Sequence, residues 1–139
     1  MQLNFTKMNE YSTKIYNLII EAFPDLVGQN KQGTELLEFH IENEYKSALG
    51  DLYIQTDDDN KIWLRATSPY TTYHIDSPEE LFYILEGLIF NELFWVVSYE
   101  DNDWDDTFLI LKEQEIKTEE GFTYKILSWN GKDDKIIEA

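Results

Sequence analysis

Cysteine is missing from this 139-residue chain, which excludes disulfides, thiolate metal sites and thiol nucleophiles together. That fits a reducing compartment, and a cytoplasmic protein is the expectation. Arginine is almost missing too, with Arg65 the one guanidinium. Histidine is confined to His40 and His74, each alone in its stretch, and no His-Glu-x-x-His pair for a zinc helix occurs. The six glycines, at 28, 33, 50, 87, 121 and 131, never take the spacing of a phosphate-cradling loop, and there is no Gly-x-Ser-x-Gly elbow. The longest apolar run, "GLIFNELFWVV" at 87–97, is interrupted by Glu92 and is too short to span a bilayer. The opening "MQLNFTKMNEYS" lacks a basic region followed by an apolar stretch, so no signal peptide is expected.

Acid and aromatic side chains are what the chain has in excess. Twenty-eight Asp and Glu face eleven Lys and Arg, for a formal charge of −17. Such a surface repels phosphate backbones and anionic lipid, which disfavours nucleic-acid or membrane binding, and it attracts basic proteins. With 42% hydrophobic and 15% aromatic residues the chain can bury a core, and its length fits one domain spanning 1–139.

The spacing of Met8, Tyr11, Ile15, Leu18, Ile19 and Ala22 predicts a first helix that Pro24 stops. "DLVGQNKQG" reads as a loop. The period then changes to two. Leu37, Phe39 and Ile41 share one face of a strand; Leu52, Ile54, Ile62, Leu64 and Ala66 share one face of a hairpin turned by "DDDN"; "YTTYHI" adds a fourth strand. In "DSPEELFYILEGLIF", Ser77, Pro78 and Glu80 form a capping box ahead of a stripe built on Leu81, Leu85 and Leu88. "LFWVVSY" predicts a central strand covered on both faces, joined to "TFLILK" through "EDNDWDD". "EQEIKTEEG" reads as a loop, "FTYKILSWNG" as the last strand, and 131–139 as a weakly held tail. The expected fold is α+β, with a mostly antiparallel sheet of about six to seven strands and two main helices, in the order α-β-β-β-β-α-β-β-β.

Chemistry is sought first in "SYEDNDWDDTF", residues 98–108. Asp101, Asp103 and Asp105 match the first half of an EF-hand loop, but Asp106 stands where that loop needs glycine and Lys112 where it needs glutamate. "DDDNK" at 57–61 departs sooner, with Lys61 at the fifth position. Paired carboxylates beside tryptophan also occur in glycosidases, yet here no base, nucleophile or metal motif accompanies them. No cofactor, no metal and no catalysis are expected. The acids and rings read instead as a partner-binding surface: Asp101, Asp103, Asp105, Asp106, Asp57, Asp58 and Asp59 for charge, with Trp63, Tyr99 and Trp104 as anchors. Tyr53, Tyr70 and Trp129 are further aromatics of interest.

In size and character, and in the run "IWLRATSPYTTYHIDSPEELFYILEGLIFNELFWVVSYEDNDWDD", the chain resembles the immunity proteins of bacterial polymorphic-toxin and contact-dependent-inhibition systems. That resemblance implies a non-catalytic cytoplasmic inhibitor that binds a cognate toxin domain; separately, the edge strand "YTTYHI" could pair with a twin, so a monomer or homodimer is expected. Many such toxins are basic nucleases, and an acidic inhibitor covers the site where phosphate would lie. A carboxylate-based hydrolase, carbohydrate-active or metal-dependent, and an acidic nucleic-acid mimic that blocks a DNA-binding protein stand as alternatives.

Overall fold

The computed structural model describes residues 7–25, 28–30, 34–66 and 72–139. Tyr70 lies outside them.

Helix α1 spans Glu10–Ala22, with Asn9 as N-cap accepting the backbone N–H of Ser12 at 2.8 Å. Its buried line is Ser12, Ile15 and Ile19; of the other positions in the predicted stripe, Met8, Tyr11 and Leu18 are half-buried and Ala22 is exposed. Ser12 is inward because its hydroxyl meets the Thr56 hydroxyl at 2.6 Å. Phe23 caps the helix ahead of Pro24, whose ring bars continuation.

The first sheet is antiparallel throughout. Strands β2 (Glu38–Ile41), β3 (Leu52–Thr56), β4 (Ile62–Ala66) and β5 (Thr72–Ile75) lie side by side in chain order. The three-residue β1 (Gly28–Asn30) pairs along the free side of β2. A loop is expected at β1, because "GQN" shows no apolar alternation in the sequence, yet Gly28–Asn30 pairs with Phe39–Ile41. In β2 to β4 the alternation holds as predicted, with Phe39, Ile41, Leu52, Ile54, Ile62, Leu64 and Ala66 all buried.

Helix α2 spans Pro78–Ile89. The Ser77 hydroxyl accepts the Glu80 N–H at 3.2 Å, and the Glu80 carboxylate accepts the N–H of Asp76 at 3.3 Å, one residue before the cap. Leu81, Ile84, Leu85, Gly87 and Leu88 are buried. Gly87 is needed there: a Cβ would stand 2.5 Å from Leu93 Cγ.

The second sheet has the order β7-β6-β8-β9, from β6 (Leu93–Glu100), β7 (Asp103–Leu111), β8 (Phe122–Leu127) and β9 (Lys135–Glu138). The α+β class and two helices stand, but the strands divide between two antiparallel sheets. The tail expected at 131–139 contains a strand, since Lys135–Glu138 pairs with Thr123–Ile126. The charged "KDDK" masks this in the sequence, while Ile137 packs on the sheet behind it. Strand β6 is covered on both faces, as its continuous apolar run predicts. Leu93, Trp95 and Val97 join the main core, which draws on both helices and both sheets. Phe94 and Val96 turn to a smaller cluster with Ile110, Tyr124 and Ile126, over which Ile116 of the 112–121 loop folds. No helix among the described residues is long and apolar enough to cross a membrane.

Candidate functional site

The connection between β6 and β7 is shorter than expected. Only Asp101 and Asn102 form the turn, at φ of 50° and 72°, and Glu100 already pairs with Asp103. Positive φ at both central positions is what a two-residue hairpin turn of type I′ requires, and Asp and Asn tolerate it. Asp103, Trp104, Asp105 and Asp106 therefore belong to strand β7 and are all exposed.

Pairing steps from Ser98↔Asp106 to Tyr99↔Trp104, which leaves Asp105 as the extra residue of a β-bulge. The bulge lets a tight turn coexist with the register of the apolar half, in which Val97 pairs with Thr107 and Val96 with Phe108. Ser98 Oγ donates to Asp105 Oδ2 at 2.9 Å and, more weakly, to the Asp106 carbonyl at 3.4 Å, and the Thr107 N–H donates to Asp106 Oδ1 at 2.8 Å. The Trp104 indole donates to Thr107 Oγ1 at 3.1 Å, yet the residue remains 57% exposed. Tyr99, directly opposite, is half-buried; Lys125 Nζ lies 5.2 Å from its ring centre, and burial raises its phenol pKa. Tyr99 is thus a support beneath the hairpin more than an outward anchor.

Asp57, Asp58, Asp59 and Trp63 lie apart from this hairpin, in and beside the β3–β4 turn of the other sheet. Asp57 spends its oxygens inside the turn. Oδ1 accepts from the N–H of Asp59 at 2.9 Å and of Lys61 at 3.0 Å, and Oδ2 accepts the Trp63 indole at 2.9 Å. The bond from Trp63, then that from Lys61, holds its carboxyl below the ordinary range. Asp58 and Asp59 are exposed. The ten residues singled out from sequence thus form two groups on two sheets, and of these two the β6–β7 hairpin is the one that combines exposed carboxylates with a largely exposed ring.

The face of the first sheet turned from the core gathers the chain's single arginine and both histidines. His40 stacks on Tyr53 at 4.7 Å and 8°, with the Arg65 guanidinium 4.7 Å from the same ring. Trp63 meets His74 at 4.8 Å. These rings pack against neighbours in the same sheet. Trp129 is buried at 5% exposure and belongs to the core. Sequence reasoning passes over Tyr45, Tyr83 and Phe90, which are 61%, 62% and 64% exposed. Phe90 ends a helix and Tyr45 sits in a loop, where periodicity says nothing about facing.

Among the described residues no group of three or more His, Asp and Glu side chains converges as metal ligands would. The chain matches no protein family, no curated protein and no solved structure.

Proposed function

We propose that this chain is a protein-binding inhibitor of a basic partner, and specifically an immunity protein that neutralises a cognate secreted toxin, a nuclease in the leading case. The observation that carries the reading is the β6–β7 hairpin: four exposed carboxylates, Asp101, Asp103, Asp105 and Asp106, around an exposed tryptophan whose orientation is fixed by Thr107. No Lys or Arg among the described residues forms an ion pair with these four acids. Their field faces outward, which accelerates encounter with a cationic surface and makes it sensitive to salt. Trp104 adds a large rigid contact at small entropic cost, the kind of residue on which interface energy concentrates. The reading is non-catalytic, because inhibition needs only that the toxin's cationic site be covered.

The test expresses the domain encoded immediately upstream of this gene, alone and together with this chain; a domain toxic alone and harmless together is expected. Reversing Asp101, Asp103 and Asp106 to lysine is expected to slow association about ten-fold or more at low salt and to remove protection of cells expressing the toxin. Trp104→Ala is expected to speed dissociation instead. Full protection by the charge-reversed protein overturns the reading.

A further inference from the structure

We infer that a second recognition site lies where the carboxy-terminal ends of the two helices meet, and that it receives a cationic side chain, arginine above all, from a protein partner. A pocket of about 360 Å³ opens between the end of α1, the end of α2 and the loop after β2. Its walls are aromatic: Phe23 and Phe90, the C-caps of the two helices, together with Tyr45 and Trp129. Its acidic lining comes from Asp25, Glu42 and Glu44, and none of the residues lining it is basic.

Three independent features of this pocket favour a cation. Each helix end carries a partial negative charge from its aligned peptide dipoles, and neither α1 nor α2 has a basic residue in its last turn to offset it. Three carboxylates add full charges of the same sign. The rings supply faces that attract cations through their quadrupoles, and Tyr45 and Phe90 are more than half exposed. A neutral apolar occupant would satisfy only the rings, and an anion would be repelled by everything else. The volume is near the small end of ligand pockets, which span ~300–1,000 Å³, and suits one side chain. Arginine fits better than lysine, because a planar guanidinium stacks on aromatic faces while forking to carboxylates.

The pocket is also held in shape. Asn43, only 3% exposed, donates its amide hydrogens among Ser47 Oγ at 2.9 Å, the Gly50 carbonyl at 3.1 Å and the Trp129 carbonyl at 3.1 Å. Its Oδ1 accepts the Tyr45 N–H at 3.0 Å. The loop that carries Glu42, Glu44 and Tyr45 is thereby tied to the turn after β8 that carries Trp129. Ordering before binding lowers the cost of capture.

The partner's basic character rests on the function proposed above, whereas the pocket's preference for a guanidinium is tested without any partner. The uniformly labelled protein is titrated with Nα-acetyl-arginine amide and, separately, with the uncharged isostere Nα-acetyl-citrulline amide, read by amide and indole chemical shifts. Saturable shifts at Tyr45, Phe90 and the Trp129 indole are expected with the first compound and not with the second. The double variant Glu42→Gln, Glu44→Gln, both exposed positions whose spectrum reports an intact fold, is expected to weaken the response about five-fold. Asp101→Asn with Asp103→Asn is expected to leave the pocket's response unchanged while weakening binding of the toxin. Equal binding of citrulline amide, or shifts confined to residues 101–106, overturns the inference and leaves the hairpin reading standing. A guanidinium-selective pocket in a protein whose hairpin variants still protect removes the hairpin reading instead.

Discussion

Ser98 donates its hydroxyl to Asp105 across 2.9 Å, and Asp105 is the one residue of β7 that has no partner on β6. The bond converts an unpaired insertion into a fixed corner, and Trp104 is the residue immediately before it on the strand. A serine on a covered strand that is 1% exposed has its hydroxyl satisfied by the hairpin that the strand supports.

Ser98→Ala is therefore expected to loosen the hairpin while leaving the core intact. The loss should be about 1 kcal/mol in global stability, since the acceptor is charged but exposed to solvent. Amide exchange at Asp103–Asp106 should accelerate far more than exchange at Phe94–Val97. Uniform acceleration across β6 would show that the hydroxyl supports the sheet and not the bulge.

The loop that bears Tyr45 is held in part by Asp51, whose Oδ1 accepts the Asn43 N–H at 2.8 Å and whose Oδ2 lies 2.6 Å from His40 Nε2. Burial disfavours its charged form, but the bonds from Asn43 and His40 outweigh this and lower its pKa. A carboxylate with a depressed folded pKa contributes stability that is fully present above its unfolded value, ~3.9, and is lost as pH falls through the folded value. Asp51→Asn should thus destabilise the protein at neutral pH. The difference from the parent should narrow below about pH 4. Denaturant melts of both proteins across pH 2–7 check the sign, and a gap that widens on acidification would contradict it.

How much of this was legible in the residues depends on which interaction decides each element. Alternation of Leu52, Ile54, Ile62 and Leu64 revealed the β3–β4 hairpin and its buried face, because burial on one side of a strand writes itself at every second position. Ser77, Pro78 and Glu80 marked the start of α2 because capping is local. The division into two sheets left no such trace, as strand partners after a helix are chosen by packing and not by period. At the candidate site, acid content and the tryptophan were visible. The bulge at Asp105 was not, since one inserted residue is indistinguishable from a longer loop until the partner strand is known. The pocket between the helix ends joins positions 22–25, 42, 44, 45, 89, 90 and 129, which no motif connects.

Thr56 tests how the first helix is fastened. Its hydroxyl meets Ser12 Oγ at 2.6 Å and accepts the Leu37 N–H at 2.8 Å, all three residues being buried. Thr56→Val keeps the shape but strands two polar groups, and about 2–3 kcal/mol of destabilisation is expected. Thr56→Ser should retain most of the stability. A valine variant as stable as the parent would show that the hydroxyl's two hydrogen bonds do not fasten the helix.

Gly87 lies inside α2, where glycine costs a helix about 1 kcal/mol relative to alanine. By that measure alone Gly87→Ala should stabilise the protein. The opposite is expected, because the added Cβ would stand 2.4 Å from Leu93 Cδ1, 2.5 Å from Cγ and 3.1 Å from Cβ. Leu93 opens β6, is 6% exposed and belongs to the main core, so its side chain has no empty space to enter. The close contacts are to Leu93 Cδ1 and Cγ, with Cβ near by, so relief takes a new rotamer in packed surroundings together with a small movement of the strand away from the helix. Overpacking of this kind costs about 1–3 kcal/mol, which exceeds the propensity gain. The double variant Gly87→Ala, Leu93→Ala removes the clash and should recover part of the loss, giving a coupling of about 1 kcal/mol or more in a mutant cycle. Additive effects of the two changes would mean that α2 and β6 adjust to the extra methyl independently, and that the close approach of helix and strand at this point does not require glycine.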